Sequence, residues 1–123
     1  MNLVILRGRL SRVPEQRRMP SGDHLVTYEV SVARPGQRAE SVPVSWMEAP
    51  ATAADLAVDE EVVVVGRVRR RFFRVGGVTQ SRTEVAAERV VPARHRVRAG
   101  QALAGALAAA GEEATTPTSP PSP

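Results

Sequence analysis

Along the first ninety residues apolar side chains recur at every second position, the period of half-buried β-strands rather than of helices. Residues 2–10 set Val4, Leu6 and Leu10 against Ile5, Arg7 and Arg9 around Gly8, which predicts a first strand with one polar face. Residues 24–33 alternate most regularly, with Val26, Tyr28, Val30 and Val32 against Thr27, Glu29 and Ser31, and give strand two. Residues 41–47 place Val42, Val44 and Trp46 on one side and form strand three, where Pro43 suits an edge position. Residues 60–75 are the longest candidate. In this strand four, Val62, Val64, Gly66 and Val68 share one face and Val63, Val65, Arg67, Arg69, Arg71 and Phe73 the other. Gly76-Gly77 then reads as a hairpin turn into strand five, residues 78–91, with Val85 and Ala87 facing one way, Glu84 and Glu88 the other, and Pro92 ending it.

Between these runs, residues 11–23 contain Val13-Pro14 and Pro20-Ser21-Gly22, turn signals that predict a structured loop. Residues 34–39 make a short polar connection, and residues 50–57 suit a short helix with Pro50 in its first turn. The predicted fold is therefore all-β: a five-stranded OB-fold barrel with one short helix between strands three and four. Such barrels bind oligonucleotides or oligosaccharides across one face. Residues 1–93 form this domain. Residues 94–123 comprise a basic connector (94–98), an Ala-rich stretch (101–110) expected to form a marginal helix, and a disordered tail of Glu, Thr, Ser and Pro (112–123).

Composition sharpens the picture in three ways. A chain of 123 residues has room for one core. Cysteine is absent, which excludes disulfides, thiolate metal sites and thiol nucleophiles and suits a reducing, cytoplasmic setting. The apolar opening at residues 3–6 meets Arg7 and Arg9 too soon for a signal peptide or a membrane span. All 17 basic residues are arginine; 11 of the 13 acidic residues precede residue 100, so residues 1–100 carry +6 against +4 for the whole chain. A GC-rich genome would produce the same arginine bias, but so would selection for an anionic partner, because the guanidinium both pairs with phosphate and stacks on bases.

The strongest constellation is Arg67, Arg69, Arg71 and Phe73, spaced by two along one strand face and hence about 7 Å apart, near the phosphate repeat of an extended single strand. Three like charges in a row repel, so a solvated basic strand with Phe73 in a small apolar cluster is the weaker reading. Trp46 follows Val42 and Val44 and on pattern belongs to the core; Tyr28 and Phe72 are likewise expected to pack. His24 and His95 lack companions at metal-ligand spacing, and neither a catalytic motif nor a paired-carboxylate arrangement is present, so no enzyme activity, metal or cofactor is expected.

Residues 2–10, Pro14-Glu15 followed by Met19-Pro20-Ser21-Gly22, and Val65-Gly66-Arg67-Val68-Arg69 together resemble the bacterial single-stranded DNA-binding protein family over about residues 2–91. The resemblance implies an OB-fold that binds single-stranded DNA with little sequence preference in replication, repair or recombination, usually as a homotetramer, so that a tetramer or dimer is expected. It puts Phe73 at the family's stacking aromatic at the end of strand four. Trp46 falls at or beside the stacking aromatic near the end of strand three, against the pattern, and both readings stay open. Arg7 and Arg9 would extend the basic surface.

Three departures point to an accessory or divergent member. Ser41 stands about where the family has a tryptophan, residues 34–40 form a shorter arm, and the tail ends Thr-Ser-Pro-Pro-Ser-Pro instead of in an acidic, apolar tip, so tail-mediated recruitment of repair enzymes is not expected. Two rival functions remain at this point: an OB-fold interaction module of a replication or repair complex, and single-stranded RNA binding.

Overall fold

The computed structural model describes residues 1–115. Six strands and one helix follow one another as β1 (Val4–Leu10), β2 (Glu15–Arg18), β3 (His24–Val32), β4 (Glu40–Trp46), β5 (Glu61–Val75), β6 (Val78–Pro92) and α1 (Arg96–Thr115). The strands pair in the order β1-β5-β6-β4-β3-β2, and a further pairing of β1 with β3 closes the sheet on itself. The closure is made by Arg9 opposite Ser31 and Leu10 opposite Val30, and by a short parallel contact of Val44 and Ser45 with Val85 and Ala86.

The barrel interior is filled by the alternating set expected of it. Leu10, Val26, Val30, Val62 and Val64 are completely buried, with Tyr28, Val44, Val85 and Val90 beside them. At about 1.5–3 kcal/mol for each large apolar side chain removed from water, this cluster is the main source of stability. The β5–β6 hairpin turns through Gly76 (φ 57°) and Gly77 (φ 80°), the pair of positive φ angles a two-residue turn between twisted strands requires. The register counted back from this turn slips once. Val65 faces Arg89 but Gly66 faces Ala87, so Glu88 is an extra residue in β6. The bulge switches the inward positions of β6 from odd (Val85) to even (Val90). Gly66 lies beside it, where an added Cβ would sit 2.2 Å from the Ala86 carbonyl oxygen.

Three expectations are corrected. The strands number six, because residues 15–18 within the predicted loop form β2, paired to β3 from Glu15 opposite Thr27 to Arg18 opposite His24. All four side chains are exposed, so no apolar period marked the strand. The predicted helix at residues 50–57 is a pair of turns, Ala53 N–H to Pro50 O and Asp55 N–H to Thr52 O. Its helical continuation is taken by side chains instead: the Tyr28 hydroxyl donates to Ala53 O at 2.7 Å, and Ala57 N–H donates to Glu60 Oε2 at 3.0 Å. That burial raises the Tyr28 pKa far above its ordinary 10.0.

The one helix among the described residues is α1, longer than the Ala-rich stretch and beginning inside the predicted connector. It is docked: Ala99, Ala102 and Ala106 press on Val63, Val65 and Val91, with Leu3 and Ile5 at the margin, forming a second apolar cluster outside the barrel. Small side chains at i, i+3 and i+7 let the helix lie close to the sheet, and that packing stabilises what isolation would not. Of the tail predicted to be disordered, residues 116–123 lie outside the described residues, while residues 112–115 continue the helix.

Candidate functional site

Beyond the bulge, the β5–β6 hairpin carries the densest charge of the molecule, Arg67 to Arg74 with Arg82 across the ladder. Arg67, Arg69, Arg71 and Phe73 face Ala86, Glu84, Arg82 and Gln80 in turn, so the spacing by two places all four on one face. That face also carries Ser45 of β4, opposite Ala86.

Two of the three like charges are held there by one buried carboxylate. Glu84 is 5% exposed and its Oε1 accepts from Arg69 at 3.0 Å and lies 3.5 Å from Nε of Arg71; Arg69 reaches on to Ser45 Oγ at 3.4 Å. The Arg71 guanidinium stands 5.8 Å over the ring of Phe73, which is half-buried. Arg67 is exposed and makes no ion pair among the described residues.

Arg69, Arg70 and Arg71 line a cleft of about 590 Å³, together with Arg12 and Arg82 on neighbouring elements and Phe72, Met47, Tyr28 and Glu84. Five guanidinium groups around one concavity, against the two carboxylates of Glu15 and Glu84, make it electropositive. At its margin Glu29 accepts from Ser41 Oγ at 2.6 Å and pairs with Arg12 at 2.7 Å. The hydrogen bond and then the guanidinium hold its carboxyl below the ordinary 4.5.

The other expected residues lie elsewhere. Arg7 and Arg9 are bound to Glu61 at 2.6 and 3.7 Å, with Arg9 also donating to Asp59 O at 3.0 Å, and they line a separate depression on β1. Trp46 packs partly against the barrel core, as its alternation with Val42 and Val44 required, and its free edge lines a smaller cleft with Arg94, His95 and Arg98. Met47, one residue on, is the side chain of β4's end that reaches the arginine cleft.

Sequence reasoning missed Glu84, Phe72, Arg12, Arg70 and Arg82 as members of the site. Counting back from the two-residue turn pairs Arg69 with Glu84, a signal that was present. Phe72 was expected to pack beside Val68, but both are out of the barrel, 66% and 47% exposed. The consecutive arginines Arg69-Arg70-Arg71 mark a strand that is wet on both faces. Among the described residues, no group of three His, Asp or Glu is placed to hold a metal ion, and no helix is long and apolar enough to cross a membrane.

The model of the family described as "Single-strand binding protein family" matches residues 1–93. A solved structure similar to this chain is that of a deletion mutant of the single-stranded DNA binding protein from Thermus aquaticus: 28% identity, a TM-score of 0.63, and coverage of 75% of this chain and 40% of that one. The present chain thus spans about two fifths of that relative's length. A search of curated proteins returns no match.

Proposed function

Since the chain belongs to the single-strand binding protein family, we propose that it binds single-stranded DNA with little sequence preference through the arginine face of the β5–β6 hairpin. The observation that carries this reading is the row Arg67, Arg69 and Arg71 along one strand face, bordering a cleft that five guanidinium groups line. Arginines so spaced match successive phosphates, and a base reaches an aromatic surface only when it is unpaired, which favours single strands. Phe73 at the end of the row and Trp46, whose free edge lines a separate cleft, are further aromatic contacts of the proposal, and Arg7 and Arg9, both paired with Glu61, add β1 to the proposed surface. No residue of the site is assigned a catalytic role. By the same reading the protein works in the cytoplasm as a homo-oligomer, on strands exposed in replication, repair or recombination.

The test is anisotropy of a labelled oligothymidylate titrated with protein at low and moderate salt, with a duplex of equal length and an RNA of the same sequence as competitors. Binding that favours the single strand and weakens with salt supports the proposal. Each phosphate contact contributes about −0.7 to the slope of log K against log salt, so Arg67→Ala, which breaks no ion pair, should lower its magnitude by about that much. Preferential competition by RNA would reassign the ligand. Absence of any anisotropy change, with a protein partner recovered after nuclease treatment, would replace DNA binding by an interaction role.

A further inference from the structure

Within the DNA-binding reading, on which this inference rests, we propose that Phe72 is the principal base-stacking platform and that the cleft beside it receives one nucleobase of the bound strand.

The two adjacent phenyl rings of β5 are differently placed. Phe73 is half-buried, and Arg71 of the same strand already stands over its ring. A base stacking on that face would have to displace a guanidinium that Glu84 also holds at 3.5 Å. Phe72 is 66% exposed, and no cation or second ring lies against it. A lone exposed apolar side chain needs no explanation on a convex surface. Phe72 instead lines the concave arginine cleft, whose volume of about 590 Å³ falls within the 300–1,000 Å³ typical of small-molecule sites. Met47, 41% exposed, adds apolar surface to the same cleft, and Arg12, Arg70 and Arg82 stand around it. Arg70 makes no ion pair among the described residues and is free to meet the phosphate of the base that enters.

The chemistry of the walls sets the class of ligand. A flat π-surface flanked by cations fits any nucleobase with its phosphate, and a base reaches it only when unpaired. The buried carboxylate that could read a base edge is engaged by Arg69 and Arg71. Glu84 therefore reads no base edge, and stacking on Phe72 is the contact that any base can make.

The experiment compares the parent with Phe72→Ala, Phe72→Trp and Phe73→Ala for binding of oligothymidylate. Thermal melts serve as a folding control, which an exposed ring permits. Phe72→Ala should weaken binding about 5- to 150-fold with the salt slope unchanged, Phe72→Trp should retain or tighten it, and Phe73→Ala should cost less than Phe72→Ala. An oligonucleotide carrying 5-iodouracil should cross-link to Phe72, located by tandem mass spectrometry of the peptide. A parent that binds single strands while Phe72→Ala binds equally well, or loses less than Phe73→Ala, overturns this assignment and leaves DNA binding standing. A parent that binds no single strand overturns both.

Discussion

Replacing Glu84 by glutamine should loosen the hairpin and make its stability depend on anions. Glu84→Gln keeps the shape and one carbonyl acceptor but removes the charge that separates Arg69 from Arg71. Side chains two apart on a strand lie about 7 Å from each other, where two cations repel by roughly 0.6 kcal/mol at a dielectric constant of 80 and 2.4 kcal/mol at 20. Arg69 and Arg71 are 36% and 45% exposed, so they can turn towards water, and the lower half of that range applies. Turning the charge-assisted hydrogen bond from Arg69 into a neutral one costs about 1 kcal/mol more. The sum, about 2 kcal/mol, corresponds to a fall of roughly 6–10 °C in Tm for a domain of this size. At 1 M salt the screening length of about 3 Å is well under the spacing, so the deficit should halve in thermal melts. Oligothymidylate should also raise the Tm of Glu84→Gln more than that of the parent, because a bound phosphate takes over the carboxylate's role. Equal Tm values at low salt, or a deficit indifferent to salt, would refute the argument that Glu84 holds the row together.

Gly66→Ala would drive a Cβ to within 2.2 Å of the Ala86 carbonyl oxygen, backbone against backbone, and should cost about 3 kcal/mol or more in urea melts; a parent-like midpoint would refute the close approach. Glu29 titrates below its ordinary 4.5 when folded, so its ionised form contributes stability that is complete above the unfolded value and lost as pH falls through the lower folded one. Arg12→Ala should make the Tm fall less steeply in that acid range, and superimposable Tm-versus-pH curves would count against the pairing. Removing residues 96–123 uncovers Val63, Val65, Val91, Leu3 and Ile5 and should give association beyond that of the parent in sedimentation together with a lower Tm; sedimentation and Tm equal to the parent's would show that α1 contributes nothing.

The strands bearing core residues were legible because burial on one face leaves a period of two, and β1, β3, β4, β5 and β6 all lie within about two residues of their expected bounds. Strand β2 was not, since it is held through backbone pairing by residues exposed on both faces. The false helix at 50–57 and the true one at 96–115 share a cause. Local propensity was read where tertiary contacts decide, with Tyr28 and Glu60 taking the backbone groups of the first and Val63, Val65 and Val91 receiving the alanines of the second. For the site, the arginine row needed only strand periodicity. Its counter-ion needed the register across the hairpin, and Phe72 needed knowledge of where the barrel ends.

That end is set by the bulge beside Gly66, and it explains why one face of β5 carries two unlike sets of residues. On the odd positions Val63 and Val65 lie under α1, and Arg67, Arg69 and Arg71 continue the same row past the bulge. Up to Val65 both faces of the strand are covered, by the barrel core on one side and the helix on the other, so both are apolar. From Arg67 β5 leaves that cover, and its side chains become cationic or exposed apart from the half-buried Phe73. A change from valine to arginine at unbroken spacing therefore records the point where a strand covered on both faces becomes an exposed cationic arm. The inward parity of β6, odd before Glu88 and even after it, shows that the bulge also redirects the second strand of the arm. Deleting Glu88 to restore a regular ladder would turn Val85 and its odd neighbours out of the core or Val90 out of it, since both parities cannot face inward without the extra residue.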